Sequence, residues 1–155
     1  MPIFKPDEFL LNIFPKKRVL GIDPGTKTLG IAVSNSDLTV ASPIFTIQRK
    51  KLKSDLNQLL EVLKKYDVTG IIIGWPLNMD GSIGPRCDSV RDFIKSLLEV
   101  IDIPILLQDE RMSTMAIEKP MIKADLTRKK RNSRTDQLAA CWILQTALDG
   151  LPKRM

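Results

Sequence analysis

Asp23, Glu110 and Asp136 are the residues of this sequence best suited to chemistry, and the chain contains no histidine. Asp23 follows an apolar run and stands among glycines in GIDPGTKTLG, while Glu110 comes just after IPILLQ, in QDER. Both therefore fall where a strand is expected to end, the place where α/β folds carry their chemistry. Each also fits a structural role: Asp23 as a turn aspartate before Pro24 and Gly25, Glu110 as an exposed acid paired with Arg111 or facing a helix dipole. Asp136 is followed three, four and seven residues on by Ala139, Ala140 and Ile143, so it shares a helical stripe with small and apolar groups. An unpaired carboxylate there is costly and needs a helix-capping role, a cation or a metal.

Without histidine, imidazole bases, Ser/His and Cys/His pairs and His-ligated metals are all excluded. Three convergent carboxylates suit a hard divalent cation, Mg²⁺ or Mn²⁺, which prefers oxygen ligands and keeps waters for a phosphate to displace. Two such ions about 3.5 to 4 Å apart activate a water and stabilise the leaving oxygen of a phosphodiester. The charge pattern fits such a substrate. Between Lys123 and Arg134, six basic residues, Arg128, Lys129, Lys130 and Arg131 among them, stand against the single acid Asp125. Such a run also fits a solvated loop, but it leads directly into Asp136, and the whole chain carries a net charge of +6.

The elements that must position these residues follow from the spacing of apolar side chains. Strands are expected over 18–23, 29–34 and 39–47, the first two joined as a hairpin by PGTKT. Leu56, Leu59, Leu60 and Leu63 mark a helix starting at Leu52. A buried strand over 68–74, a helix through Val90, Phe93, Ile94, Leu97, Leu98 and Ile101, and a central strand over 103–108 come next. A short helix from Ser113 should end by Lys119, before Pro120. Residues 120–135 read as a basic connector, and the last helix as Asp136 to Leu148, ended by Gly150 and Pro152. The expected fold is α/β: three antiparallel strands, then alternating helices and strands, with helices on both faces of a mixed sheet.

At 155 residues one core is expected. Residues 1–17 read as an N-terminal extension, 18–150 as a single domain and 151–155 as a tail. Cys87 and Cys141 lack metal-site or disulfide spacing, which points to a reducing cytoplasm. FLLNIFP is too short and wrongly flanked for a signal peptide, and no apolar run has the length of a membrane span. Eight aromatic residues are too few to suggest recognition of single strands by stacking.

The segments GIDPGTKTLGIAVS, IIIGWPLNMDGSIGP, LLQDERMST and RKKRNSRTDQLAACWILQTALD resemble, in order and spacing, the YqgF (RuvX) family. These bacterial proteins are described as pre-16S rRNA nucleases and are also proposed as Holliday-junction resolvases. The resemblance covers about residues 18 to 149. It implies an RNase H-like fold with a five-stranded mixed sheet, an acidic triad at Asp23, Glu110 and Asp136, and a turn bearing Asn78, Asp80 and Gly81. Arg111 and Thr114 fall on a motif where they would orient Glu110 or hold phosphate. Lys27, Asn78, Arg111, Thr114, Arg128, Lys129, Lys130 and Arg131 form the expected nucleic-acid-binding set. The implied function is metal-dependent processing of the 5′ end of pre-16S rRNA on or near ribosomal particles, with two ions in the substrate complex and a monomer or homodimer as the working form.

Trp75 departs from the family pattern, standing where leucine is common. Two other functions compete with pre-16S processing: resolution of branched DNA junctions, and a non-catalytic RNA-binding role in ribosome assembly. The hairpin also resembles the phosphate-holding hairpin of actin-like ATPases and sugar kinases, but those enzymes close two related lobes on a nucleotide and this length supplies one.

Overall fold

A computed structural model describes residues 3–78, 80–109 and 128–152, with the backbone alone for 128–136. The elements are β1 (Ile3–Phe4), α1 (Pro6–Asn12), β2 (Arg18–Pro24), β3 (Thr28–Ser34), β4 (Ala41–Gln48), α2 (Leu52–Lys65), β5 (Val68–Trp75), α3 (Pro85–Leu98), β6 (Ile105–Asp109) and α4 (Arg128–Gly150). The strands form one sheet in the order β1-β6-β5-β2-β3-β4. β3 runs antiparallel to both β2 and β4, while β5 is parallel to β2 and β6, and β6 to β1.

Alternation along the strands feeds two cores. Leu20, Ile22, Ile31, Ile71, Ile73 and Ile105 face α2 and α3, where Leu59, Phe93 and Leu97 meet them. Val19, Ala32, Ile72 and Leu106 face the other way, toward Phe9 and Ile13 from the N-terminal segment and Ala140, Ile143, Leu144 and Leu148 of α4. Burying both faces explains why the central strands read as continuous apolar runs.

The close packing of α4 on the sheet depends on a missing side chain. A Cβ at Gly21 would lie 2.7 Å from Leu144 Cβ and 3.2 Å from the Ala140 carbonyl oxygen, a spacing that only glycine permits. Gly70 has the same role beneath the N-terminal segment, where a Cβ would come within 2.7 Å of Phe9 and 2.8 Å of Ile13.

The expected fold class holds, with two corrections. Among the described residues the sheet has six strands instead of five, because Ile3 and Phe4 pair with Ile105 and Leu106. Two residues carry no readable alternation, and their strand exists only through its partner. Within the described residues the final helix is already formed at Arg128, eight residues before the expected start, so the basic run 128–131 belongs to a helix and not to a connector. Its first turns lack apolar residues and so lack the periodic signal, yet Arg and Lys are good helix formers. The expected helix from Ser113 lies outside the described residues. No helix among the described residues is long and apolar enough to cross a membrane.

Candidate active site

β2 carries Asp23 to one end of the sheet. Leu20 and Ile22 face α2 and α3, so the period of two puts Asp23 on the same side as Gly21, the side covered by α4. Asp23 is half-buried. It is registered with Gly30 on β3, and since Ile22 pairs with Ile73 in a parallel ladder, Gly74 lies on its other side. Within the sheet the carboxylate is thus flanked by residues with no side chains.

β6 approaches the same end. It is parallel to β5, with Gly74 beside Gln108 and Trp75 beside Asp109. Leu106 belongs to the α4 side, Gln108 shares that side by alternation, and Glu110, next in the series, lies outside the described residues. α4 runs antiparallel to β2: Leu148 packs with Val19 and Phe9 near the start of the strand, and Ala140 with Gly21 further on. The helix backbone at Asp136 is one turn before Ala140, about 6 Å along the axis toward the Asp23 end. Its side chain lies outside the described residues.

Two arginines grip the turn that follows Asp23. Arg86, in the first turn of α3, donates from Nη2 to the Pro24 carbonyl at 3.0 Å. Arg49, just after β4, donates from Nη1 to the Gly25 carbonyl at 2.9 Å. Arg49 also lies 5.4 Å from the Phe93 ring centroid, and its Nε is 3.8 Å from Oδ2 of the buried Asp55. Asp55 Oδ1 in turn accepts from the Lys50 N–H at 3.2 Å. Two arginines from separate parts of the fold therefore hold the backbone next to Asp23, and such support preorganises a neighbouring side chain. Sequence reasoning missed Arg49 and Arg86. The basic run after β4 was a visible signal for Arg49, but nothing local foretold the contact of Arg86 with Pro24.

Asn78 supports the loop after β5. Its Nδ2 donates to Ser82 Oγ at 3.0 Å, and Asp80 accepts from the Ser82 N–H at 2.9 Å and from the Ser82 hydroxyl at 2.6 Å. Arg91 lies 5.9 Å from the centroid of the Trp75 ring beside that loop. Lys27 is exposed in the turn after Asp23. Arg111 and Thr114 lie outside the described residues, as do the side chains of Arg128, Lys129, Lys130 and Arg131, which stand on the first turn of α4.

In chemical terms, the described part of the site is a half-buried carboxylate on a rigid strand end with lysine and arginine beside it. The donor set proposed from sequence consists of carboxylate oxygens alone, which fits a hard divalent cation.

The family described as RuvX, Holliday junction resolvase, matches residues 17–150. A protein named "Putative pre-16S rRNA nuclease" from Paramagnetospirillum magneticum is 44% identical over 149 residues, covering 96% of each chain. One of the same name from Ruegeria sp. strain TM1040 is 50% identical over 143 residues, covering 92% of this chain and 91% of that one. Among solved structures, Thermus thermophilus RuvC in complex with Holliday junction substrate superposes with a TM-score of 0.55 at 17% identity, covering 86% of this chain and 94% of that one. That likeness speaks for the RNase H-like fold.

Proposed function

The chain belongs to the RuvX family, matched over residues 17–150, and from that premise we propose that it is a metal-dependent nuclease hydrolysing phosphodiester bonds in structured nucleic acid. The observation that supports this most is the meeting of β2, β6 and the first half of α4 at one end of the sheet. Asp23, Glu110 and Asp136 would hold Mg²⁺ or Mn²⁺ there. When bound, such ions polarise the phosphoryl group and lower the pKa of a coordinated water.

The chain's own residues supply position and charge. Arg49 and Arg86 fix the turn next to Asp23, so its carboxylate needs no reordering as charge develops. Lys27 stands in the same turn, and Arg128, Lys129, Lys130 and Arg131 open α4, where they hold phosphates and so set the register of the substrate. Arg111 and Thr114 would orient Glu110 or hold phosphate. Asn78 keeps the neighbouring loop in shape.

The substrate we favour is precursor 16S rRNA, met in the cytoplasm on or near ribosomal particles, because the curated relatives carry that name at 44% and 50% identity over nearly the whole chain. Branched DNA is the second reading, favoured by the description of the family. The decisive assay compares a labelled precursor transcript extending past the 5′ end of 16S rRNA with a four-way DNA junction. Each is incubated with Mg²⁺, with Mn²⁺ and with chelator. Metal-dependent cleavage of the transcript at a defined position, with the junction left intact, supports the first reading. The reverse pattern supports the second, and cleavage of neither overturns both.

A further inference from the structure

A second cationic surface flanks the Asp23 strand end, on the sheet face away from α4. The run QRKKLKSD places Arg49, Lys50, Lys51 and Lys53 in sequence with no acid before Asp55. The Arg49 N–H donates to the Lys27 carbonyl at 2.9 Å, and Gln48 is registered with Thr28. The run therefore lies beside the turn that follows Asp23. Arg49 is turned inward to Gly25 and Asp55, whereas Lys27, Lys50, Lys51 and Lys53 are exposed. None of the four belongs to an ion pair among the described residues.

Folding does not account for this cluster. Lys51 is the N-cap of α2, Lys50 precedes it and Lys53 lies in the first turn, with no side chain capping the helix. That end of a helix is positive and disfavours cations. The one first-turn acid, Asp55, is buried and committed to Arg49 and the Lys50 N–H. Lysines gathered at the wrong end of a helix dipole weaken the free protein and suit a polyanion.

We propose that Lys50, Lys51 and Lys53, together with Lys27, form a phosphate-binding track for the nucleic-acid strand beside the cleavage site. The track rests on the nuclease reading above and assigns it a second contact surface. A duplex or junction spanning the strand end would then be held from both sheet faces, by this track and by the basic start of α4.

The test compares wild type with the triple variant Lys50→Ala, Lys51→Ala, Lys53→Ala. A matched control replaces Lys64, Lys65 and Lys95, which lie in the last turns of α2 and α3. Binding to a fluorescent RNA hairpin and to a four-way DNA junction is read by anisotropy, in chelator, over about 50 to 200 mM salt. Each lost phosphate contact flattens the plot of log affinity against log salt by roughly 0.7 to 0.9, so the track variant should lose about 2 to 3 units of slope. The control should change by less than about one unit. Melting of the track variant should be unchanged or higher, since unfavourable charges leave the helix end. A slope equal to that of wild type, or an equal loss in the control, overturns the track and leaves the nuclease reading standing. If wild type binds neither probe, the track is overturned as well, and the cleavage assay above decides the nuclease reading separately.

Discussion

Gly21 and Leu144 are in such close apposition that no side chain fits between them: a Cβ built on Gly21 would stand 2.7 Å from Leu144 Cβ. This contact sets the height of α4 above the strand that carries Asp23. Gly21→Ala should push the helix outward and cost about 1 to 3 kcal/mol through overpacking. For a domain of this size that lowers the melting point by roughly 2 to 12 °C. Thermal melts check the stability, and activity should fall by more than the loss of folded protein explains. Full activity in a folded Gly21→Ala protein would mean that the seating of α4 has no bearing on the site.

The N-terminal segment belongs energetically to the fold. Phe9 is fully buried against the face that includes Ile72 and Leu148. Phe9→Ala should cost about 3 to 5 kcal/mol, and denaturant titration measures it. A loss below about 1 kcal/mol, at the scale of a surface change, would show residues 1–17 to be an appendage.

Arg49 joins the Asp23 turn to a buried carboxylate. Arg49→Met leaves Asp55 with the Lys50 N–H and no cation. Breaking a buried pair costs about 3 to 5 kcal/mol. The 3.8 Å separation and the 26% exposure of the arginine side chain place the expected loss at or below the low end of that range. Adding Asp55→Asn should recover part of it, which a double-mutant cycle reads directly. Strict additivity would show that the two side chains do not interact.

Burial pushes the Cys141 thiol above its ordinary range, and its Sγ donates to the Ala41 carbonyl at 3.3 Å. The thiolate is the reactive form, so alkylation of the folded protein should set in at higher pH than for a free thiol near 8.5. A group whose folded pKa is raised contributes stability below its unfolded pKa and loses it as pH rises toward the folded value. Mass-spectrometric alkylation rates across pH test this, and a midpoint at or below that of a free thiol would contradict it.

Sequence reading recovered the elements whose signal is local. RVLGID, LGIAVS and VTGIIIG are strands in the structure to within a residue or two at either end, because both their faces are buried and nearly every position is apolar. β1 was not legible, since two residues have no pattern and the pairing with Ile105 and Leu106 makes the strand. The first turns of α4 are not legible in the sequence, because periodicity begins only where the helix meets the sheet, near Ala139. The Asp23 strand end was readable from its place after an apolar run. The grip of Arg49 and Arg86 on Gly25 and Pro24 was not, because residues 24 and 62 positions apart meet only through the fold.

The central claim is that Asp23 serves a metal-dependent hydrolysis. It is tested most directly by cleavage of the labelled precursor transcript by wild type and by Asp23→Asn, across a Mn²⁺ titration and in excess chelator, with both proteins shown to be folded. Metal assistance supplies several kcal/mol of transition-state stabilisation, and each 1.36 kcal/mol is tenfold in rate. Wild type should therefore cleave only with metal, and Asp23→Asn should be slower by at least about a hundredfold at every metal concentration. Cleavage that persists in chelator, or an Asp23→Asn rate within a few-fold of wild type at saturating metal, would contradict the account.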